Sequence, residues 1–288
     1  MSTILGPDQA EGLRKLMKEI PRTNTKIIAV TSGKGGVGKS SFSLNLGICL
    51  STMKDNPKKV IVFDADLGLA NIHILLGFIP KYNLFHVIKG QKKMTEIIYK
   101  SDAGVDFIAG ASGLSQLANL KDEERENLIE ALKDISYADY IIVDTAAGIT
   151  PNVLTFLASA HEIIVITTPE PTAITDAYGV IKSIVAEVEN PDIKLVVNRV
   201  KNTTEATRVA KKVIDVCSQF LNVKVENLGF IYEDQIVNES VKKQIPFVQM
   251  NPNHNVSICV NHIARRLMNL EVPEEDKGWH KFFKAFFK

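Results

Sequence analysis

The stretch Gly33-Lys34-Gly35-Gly36-Val37-Gly38-Lys39-Ser40 lies directly after the apolar run Ile27-Ile28-Ala29-Val30 and directly before the helical pattern Phe42 to Leu50. It fits G-x-x-x-x-G-K-[ST] in the context that gives the pattern meaning: a strand, a glycine-rich turn and a helix start. Glycines let consecutive backbone N–H groups turn inward around a phosphate. The helix N-terminus adds its partial positive charge, Lys39 adds a full one, and the Ser40 hydroxyl is placed to hold Mg²⁺. A nucleotide site follows. Lys34 is the unusual residue, because a phosphate loop needs one lysine near its end and a second at its start has no required job within one subunit.

Working outward, two more strands end in acid. Lys59 to Phe63 leads into Asp64-Ala65-Asp66-Leu67-Gly68-Leu69-Ala70-Asn71, and Tyr140-Ile141-Ile142-Val143 ends in Asp144-Thr145-Ala146-Ala147-Gly148. Carboxylates at the C-terminal ends of buried parallel strands stand where ligands bind in open α/β sheets. Of Asp64 and Asp66, one could neutralise the metal and its waters while the other orients the attacking water, and Asp144 is a candidate for the Mg²⁺ water shell. Phosphoryl transfer asks for little beyond such positioning and charge stabilisation. A D-x-D pair at a strand end is often only a capping feature, but beside a phosphate loop that bland account loses weight.

The spacing predicts further strands at Val105 to Ala109, Glu162 to Thr168, Leu195 to Arg199 and Asn227 to Ile231. Helices are expected over Thr203 to Leu221, Asp234 to Lys243 and Asn255 to Leu270, and the charged run Lys121 to Glu126 reads as the solvated start of another. Strands alternating with helices imply a doubly wound, mostly parallel sheet flanked by helices, in a single domain. At 288 residues, 45% hydrophobic, the chain can bury one substantial core. Its net charge of +1 gives no global pull toward nucleic acid. Cys49, Cys217 and Cys259 show no metal or redox spacing and read as buried thiols of a reducing cytoplasm. His73 and His86 are isolated, and no function is assigned to them.

The ends differ from the middle. Residues Gly6 to Ile20 carry Leu13, Leu16, Met17 and Ile20 on one helical stripe, and Pro21 to Thr25 reads as a linker. After an acidic spacer, Trp279, Phe282, Phe283, Phe286 and Phe287 recur at helical spacing with Lys281, Lys284 and Lys288 on the opposite face, a short basic amphipathic helix suited to an anionic membrane surface. Burial of five aromatics at about 25 cal/mol per Å² contributes several kcal/mol, offset by a similar cost of ordering the tail. One copy binds weakly and two held together bind well. The expected division is therefore 1–21 as an N-terminal segment, 22–270 as the nucleotide-binding domain, and 271–288 as spacer and membrane-targeting helix.

Lys34-Gly35-Gly36-Val37-Gly38-Lys39-Ser40 resembles the KGGVGK[ST] signature of the MinD/ParA family of deviant phosphate-loop ATPases. DTAAG at Asp144 to Gly148, TTPEPTAITDAY at Thr167 to Tyr178, and Asp8-Gln9-Ala10 with Leu13 and Arg14 resemble the FlhG/FleN-type members, flagellar number regulators. The resemblance implies a Mg²⁺-dependent ATPase contacting ATP through Gly33, Lys34, Gly35, Gly36, Val37, Gly38, Lys39, Ser40 and Ser41. Asn198 would meet the adenine ring, Ser40, Asp64 and Asp144 the metal, and Lys34, Asp66 and Lys39 would carry catalysis, with Lys34 reaching the nucleotide of a second subunit. It further implies an ATP-dependent homodimer that associates reversibly with the inner face of the cell membrane. The Asp8 to Arg14 segment would stimulate the GTPase FlhF, and a flagellar switch protein or transcription regulator would be a partner. A division-site MinD and a DNA-binding ParA are the alternatives. Asp8 to Arg14 and the DTAAG run argue against the first, the low net charge and aromatic tail against the second.

Overall fold

The computed structural model describes residues 25–66, 72–110 and 122–272. The N-terminal segment with Asp8 to Arg14, the run Leu67 to Asn71 and the aromatic tail lie outside the described residues. Those that are described form one α/β domain around an eight-stranded sheet in the order β3-β4-β2-β5-β1-β6-β7-β8. In chain order the strands are β1 Lys26–Thr31, β2 Val60–Ala65, β3 Ile98–Lys100, β4 Asp106–Ala109, β5 Tyr140–Thr145, β6 Glu162–Thr167, β7 Ile193–Val200 and β8 Val225–Tyr232. All neighbours pair in parallel except β3, which runs antiparallel to β4 at one edge. The doubly wound, mostly parallel sheet expected from the alternation is present.

The central strands are continuous apolar runs because helices cover both faces. Ile28, Ala29 and Val30 of β1 have no solvent exposure, and every residue of β6 is buried. Helix α1, Lys39–Ser51, follows the glycine-rich turn and is buried nearly all round, from Phe42 to Leu50. It packs on β2 and against the C-terminal helix of the described chain, Asn255–Leu267. A second, smaller core lies beyond β2 and β4, where Ile61, Ile108, Leu84, Val87, Met94 and Leu128 meet. It is closed by three helices, α3 Leu84–Ile88, α4 Met94–Ile97 and α5 Asp122–Lys133, reached through the single turn α2, Ile72–Leu75.

Local signals account for the helix starts. Thr150 caps α6, Pro151–Ala158, and Pro171 occupies the first turn of α7, Pro171–Glu187. The Asn202 and Asp234 side chains accept from the Glu205 and Ile236 N–H groups to open α8, Thr203–Leu221, and α9, Gln235–Lys243. After the short α10, Phe247–Met250, the chain ends its described part in α11, Asn255–Leu267. Most boundaries shift by one to three residues from expectation, and two of the shifts bear on the argument. Helix α11 stops three residues early, because Asn269 turns left-handed at φ 55° and the Leu270 N–H folds back to the Arg265 carbonyl at 2.8 Å. Strand β2 runs on to Ala65, so Asp64 belongs to the strand itself. One strand, β3, was not expected at all: it has three residues and is held only at the sheet edge.

Candidate nucleotide site

The parallel register decides which side chains meet. Strands β2 and β5 pair Asp64 with Asp144, and Val30 of β1 lies beside Asp144 on its other side. The two carboxylates predicted from separate motifs thus stand next to each other at the C-terminal edge of the sheet, one strand away from the glycine-rich turn. Both are fully buried.

The turn delivers Lys39 to the same place. Lys39 is buried, with Nζ 3.0 Å from Asp144 Oδ1. One helical turn on, the Ser43 hydroxyl lies 2.9 Å from that Asp144 oxygen and 3.1 Å from the Lys39 carbonyl, and its single proton can serve one of these acceptors at a time. Asp144 Oδ2 is buried with no hydrogen-bond partner. Asp64 accepts from the N–H groups of Asp66 and Ile72, both at 3.1 Å. Burial, and then repulsion from Asp144, push the Asp64 carboxyl up to about 6, against the pull of the two N–H groups and of Lys39.

A buried carboxylate oxygen without a partner calls for an explanation, and an ion is the one its neighbours favour. Two adjacent carboxylates suit Mg²⁺, which keeps several waters and takes few protein ligands beside substrate phosphates. Among the described residues no larger His, Cys, Asp or Glu cluster could hold a metal. The phosphate end fits as well. Gly38 caps α1 with φ 93°, leaving the helix N-terminus without a side-chain cap, and no acidic residue occupies the first turn. A Cβ on Gly33 would lie 2.4 Å from the backbone of Asp176, so α7 approaches the turn as closely as glycine alone allows.

Switch-like contacts frame the turn. The Gly148 N–H donates to the Ser32 carbonyl at 2.8 Å, tying the end of the Asp144 to Gly148 run to the residue before Gly33. Lys34 is half-exposed. Its ammonium contacts Glu170 Oε2 at 2.7 Å and Thr172 Oγ1 at 3.4 Å, and this contact lowers the Glu170 carboxyl. Asn198, which the resemblance would set against the adenine ring, lines the cavity beside Gly38 and is also tied to the turn. Its Nδ2 donates to the Val37 carbonyl at 2.7 Å, so β7 braces the turn. Beside that brace opens a cavity of about 170 Å³, lined among others by Gly38, Ser41, Phe42, Arg199, Tyr232 and Asp234.

Sequence reading missed Ser43, Glu170 and Thr172. Ser43 had a signal, since it sits four residues after Lys39 and therefore on the same helix face. The other two had none, because their contact with Lys34 spans more than 130 residues.

Comparison with known proteins places this geometry. Residues 28–247 match the CobQ/CobB/MinD/ParA nucleotide binding domain. The chain is 34% identical to the antiactivator FleN of Pseudomonas aeruginosa over 259 residues, 90% of this chain and 91% of that one. It is likewise 34% identical to the flagellum site-determining protein YlxH of Helicobacter pylori over 273 residues, 92% and 90% of the two chains. Among solved structures, the septum site-determining protein MinD of Pyrococcus horikoshii, complexed with Mg-ADP, superposes with a TM-score of 0.66 at 26% identity, covering 84% of this chain and 96% of that one. The chain belongs to the CobQ/CobB/MinD/ParA nucleotide-binding family, as a MinD/ParA-type ATPase of the FlhG/FleN kind.

Proposed function

We propose that the chain hydrolyses ATP to ADP and phosphate as a switch between a cytosolic monomer and a membrane-bound dimer, and that this switch regulates flagellar number or placement. The observation that carries the reading is the buried trio of Lys39, Asp144 and Asp64 at the mouth of an uncapped helix N-terminus. In it the residues Gly33 to Ser41 cradle the phosphates, and the base enters the cavity beside Asn198. Lys39 leaves Asp144 for the phosphates. Asp144 and Ser40 would hold Mg²⁺, with Asp64 the neighbouring carboxylate of the site, and Ser43 keeps its contact with Asp144. Once bound, the cation neutralises charge on the phosphate oxygens. Asp66, closed onto Asp64 through its own N–H, positions the attacking water.

Lys34 belongs to the dimer in this reading. Within one subunit its partners are exposed and solvent-screened, so exchanging them for a partner subunit's phosphate is easy. The names of FleN and YlxH support the flagellar assignment, and the Mg-ADP complex of MinD supports Mg²⁺ and adenine nucleotide. None of the described helices is long and apolar enough to cross a membrane, so attachment falls to the tail at Trp279, Phe282, Phe283, Phe286 and Phe287. The Asp8 to Arg14 segment would act on FlhF, and a flagellar switch protein or transcription regulator would read the dimer.

The test uses Asp66→Ala to block turnover, with light scattering and sedimentation on anionic vesicles in ADP or ATP. The reading expects a dimer, and vesicle binding, only with ATP. A protein that stays monomeric with ATP sinks the switch, while DNA retention with a steep salt dependence and no vesicle binding favours a ParA-type role.

A further inference from the structure

We propose that the face around the β3 edge is a second contact surface for an anionic phospholipid bilayer, acting beside the tail; it rests on the membrane reading above. From Ile72 to Lys100 the sequence holds five lysines, at 81, 89, 92, 93 and 100, against one acid, Glu96. Glu96 is taken by Lys92 at 2.8 Å and by the Lys93 N–H at 2.9 Å, and Lys89 is taken by Glu124 at 2.5 Å. Lys81, Lys93 and Lys100 are exposed and form no ion pair among the described residues.

The loop from Gly77 to Asn83 brings Lys81 and Lys92 together on the Tyr82 ring. Phe78 stacks on Tyr99 of β3 with centroids 3.6 Å apart and packs on the larger core, whereas Tyr82 packs on the smaller core of the opposite sheet face. The loop therefore passes round the terminal strand. Lys81 and Lys92 both lie over the Tyr82 ring, at 5.3 and 4.5 Å. Alternation along β3 sends Lys100 to the same side as Ile98, which packs on the smaller core with Tyr82. On the loop stands Ile79, 91% exposed and followed by Pro80, with Ile74 at 45% and Tyr99 at 39% nearby.

An exposed isoleucine on a loop that carries Lys81, with Lys93 and Lys100 exposed on the elements that follow, matches the chemistry of an anionic bilayer surface, where the apolar residue enters the acyl boundary and the lysines meet headgroup phosphates. Nucleic acid would use the lysines but not Ile79, and all five cations lack the guanidinium fork suited to phosphate and base edges. A peptide adding a strand is discouraged by an edge of three residues that carries Lys100. The turn that follows Lys100 lies near the point where residue 271 is held. Arg265 holds the Glu271 carbonyl at 2.6 Å and Asp55 at 3.3 Å, just past the end of α1. A Cβ on Gly104, in the turn after β3, would sit 3.3 Å from Ser51 Oγ at that same helix end.

The experiment takes the full chain with ATP and measures partitioning onto vesicles of phosphatidylglycerol with phosphatidylcholine, and onto phosphatidylcholine alone. Lys81→Gln/Lys93→Gln/Lys100→Gln should weaken binding to the anionic vesicles roughly a hundredfold, about fivefold per lysine, and leave nucleotide affinity unchanged. Ile79→Ser, a milder change that cannot disturb the core, should weaken binding about tenfold. Wild-type partitioning by both variants overturns the face. If Phe282→Ser/Phe286→Ser then abolishes binding, the tail alone holds the membrane. A chain whose lysine variant loses duplex DNA retention but not vesicle binding also overturns it. An intact chain that binds no vesicle at all removes the face and the membrane reading together.

Discussion

Asp64 sits where burial and neighbouring charge oppose its backbone hydrogen bonds. Its carboxyl is raised from 3.8 to about 6, so the folded chain binds the proton more tightly than the unfolded chain. The cost of burying the charged form is therefore absent below 3.8, grows through the interval, and is complete above about 6. It amounts to about 3 kcal/mol at neutral pH in the ligand-free chain. Chemical denaturation across that window should show stability falling as pH rises, and Asp64→Asn should flatten the slope. An unchanged slope would mean that Asp64 titrates as an ordinary carboxylate. A cation beside Asp64 would favour its charged form and offset that cost. The Asp64 and Asp144 positions were legible because each ends an apolar strand. The Lys39 to Asp144 contact was not, since 105 residues separate the two.

At the scale of elements, the phosphate-loop turn is gripped from two sides. Helix α7 presses on Gly33 and the end of β7 reaches Val37 through Asn198. Gly33→Ala places a methyl group 2.4 Å from the Asp176 backbone, which cannot swing aside as a side chain would. The expected result is a loss of about 1–3 kcal/mol in denaturant unfolding together with weaker nucleotide binding. Wild-type stability would show that α7 yields. Capped helices such as α8 and α9 were readable almost to the residue, because their signals are local. Strand β3 was not, because three residues whose partner is β4, reached through a turn, carry no period long enough to recognise.

For the molecule as a whole, the site holds a buried ion pair and a partnerless carboxylate oxygen together. Ligand binding that settles both should be visible globally. At a hundredfold excess over its dissociation constant, Mg·ADP should add about 2.7 kcal/mol to unfolding stability, read as a rise in melting temperature. A chelator should cancel most of that gain while leaving the ligand-free melt in place. If the chelator changes nothing, Asp144 Oδ2 serves some purpose other than the metal, and Lys39 alone carries the phosphate interaction.

The sequence by itself determined the nucleotide chemistry and the fold class. A glycine-rich turn between strand and helix, and apolar strands ending in Asp, are local patterns whose physical demands are met by neighbouring residues. The tertiary structure decided how those pieces meet. Parallel register set Asp64 beside Asp144. Packing turned Asn198 into a brace, and the fold brought Glu170 to Lys34. The Gly77 to Asn83 loop stacked Phe78 on Tyr99 and brought Lys81 and Lys92 onto the Tyr82 ring. Contacts of this kind depend on chain closure over tens to hundreds of residues, and no spacing rule within a single element encodes them.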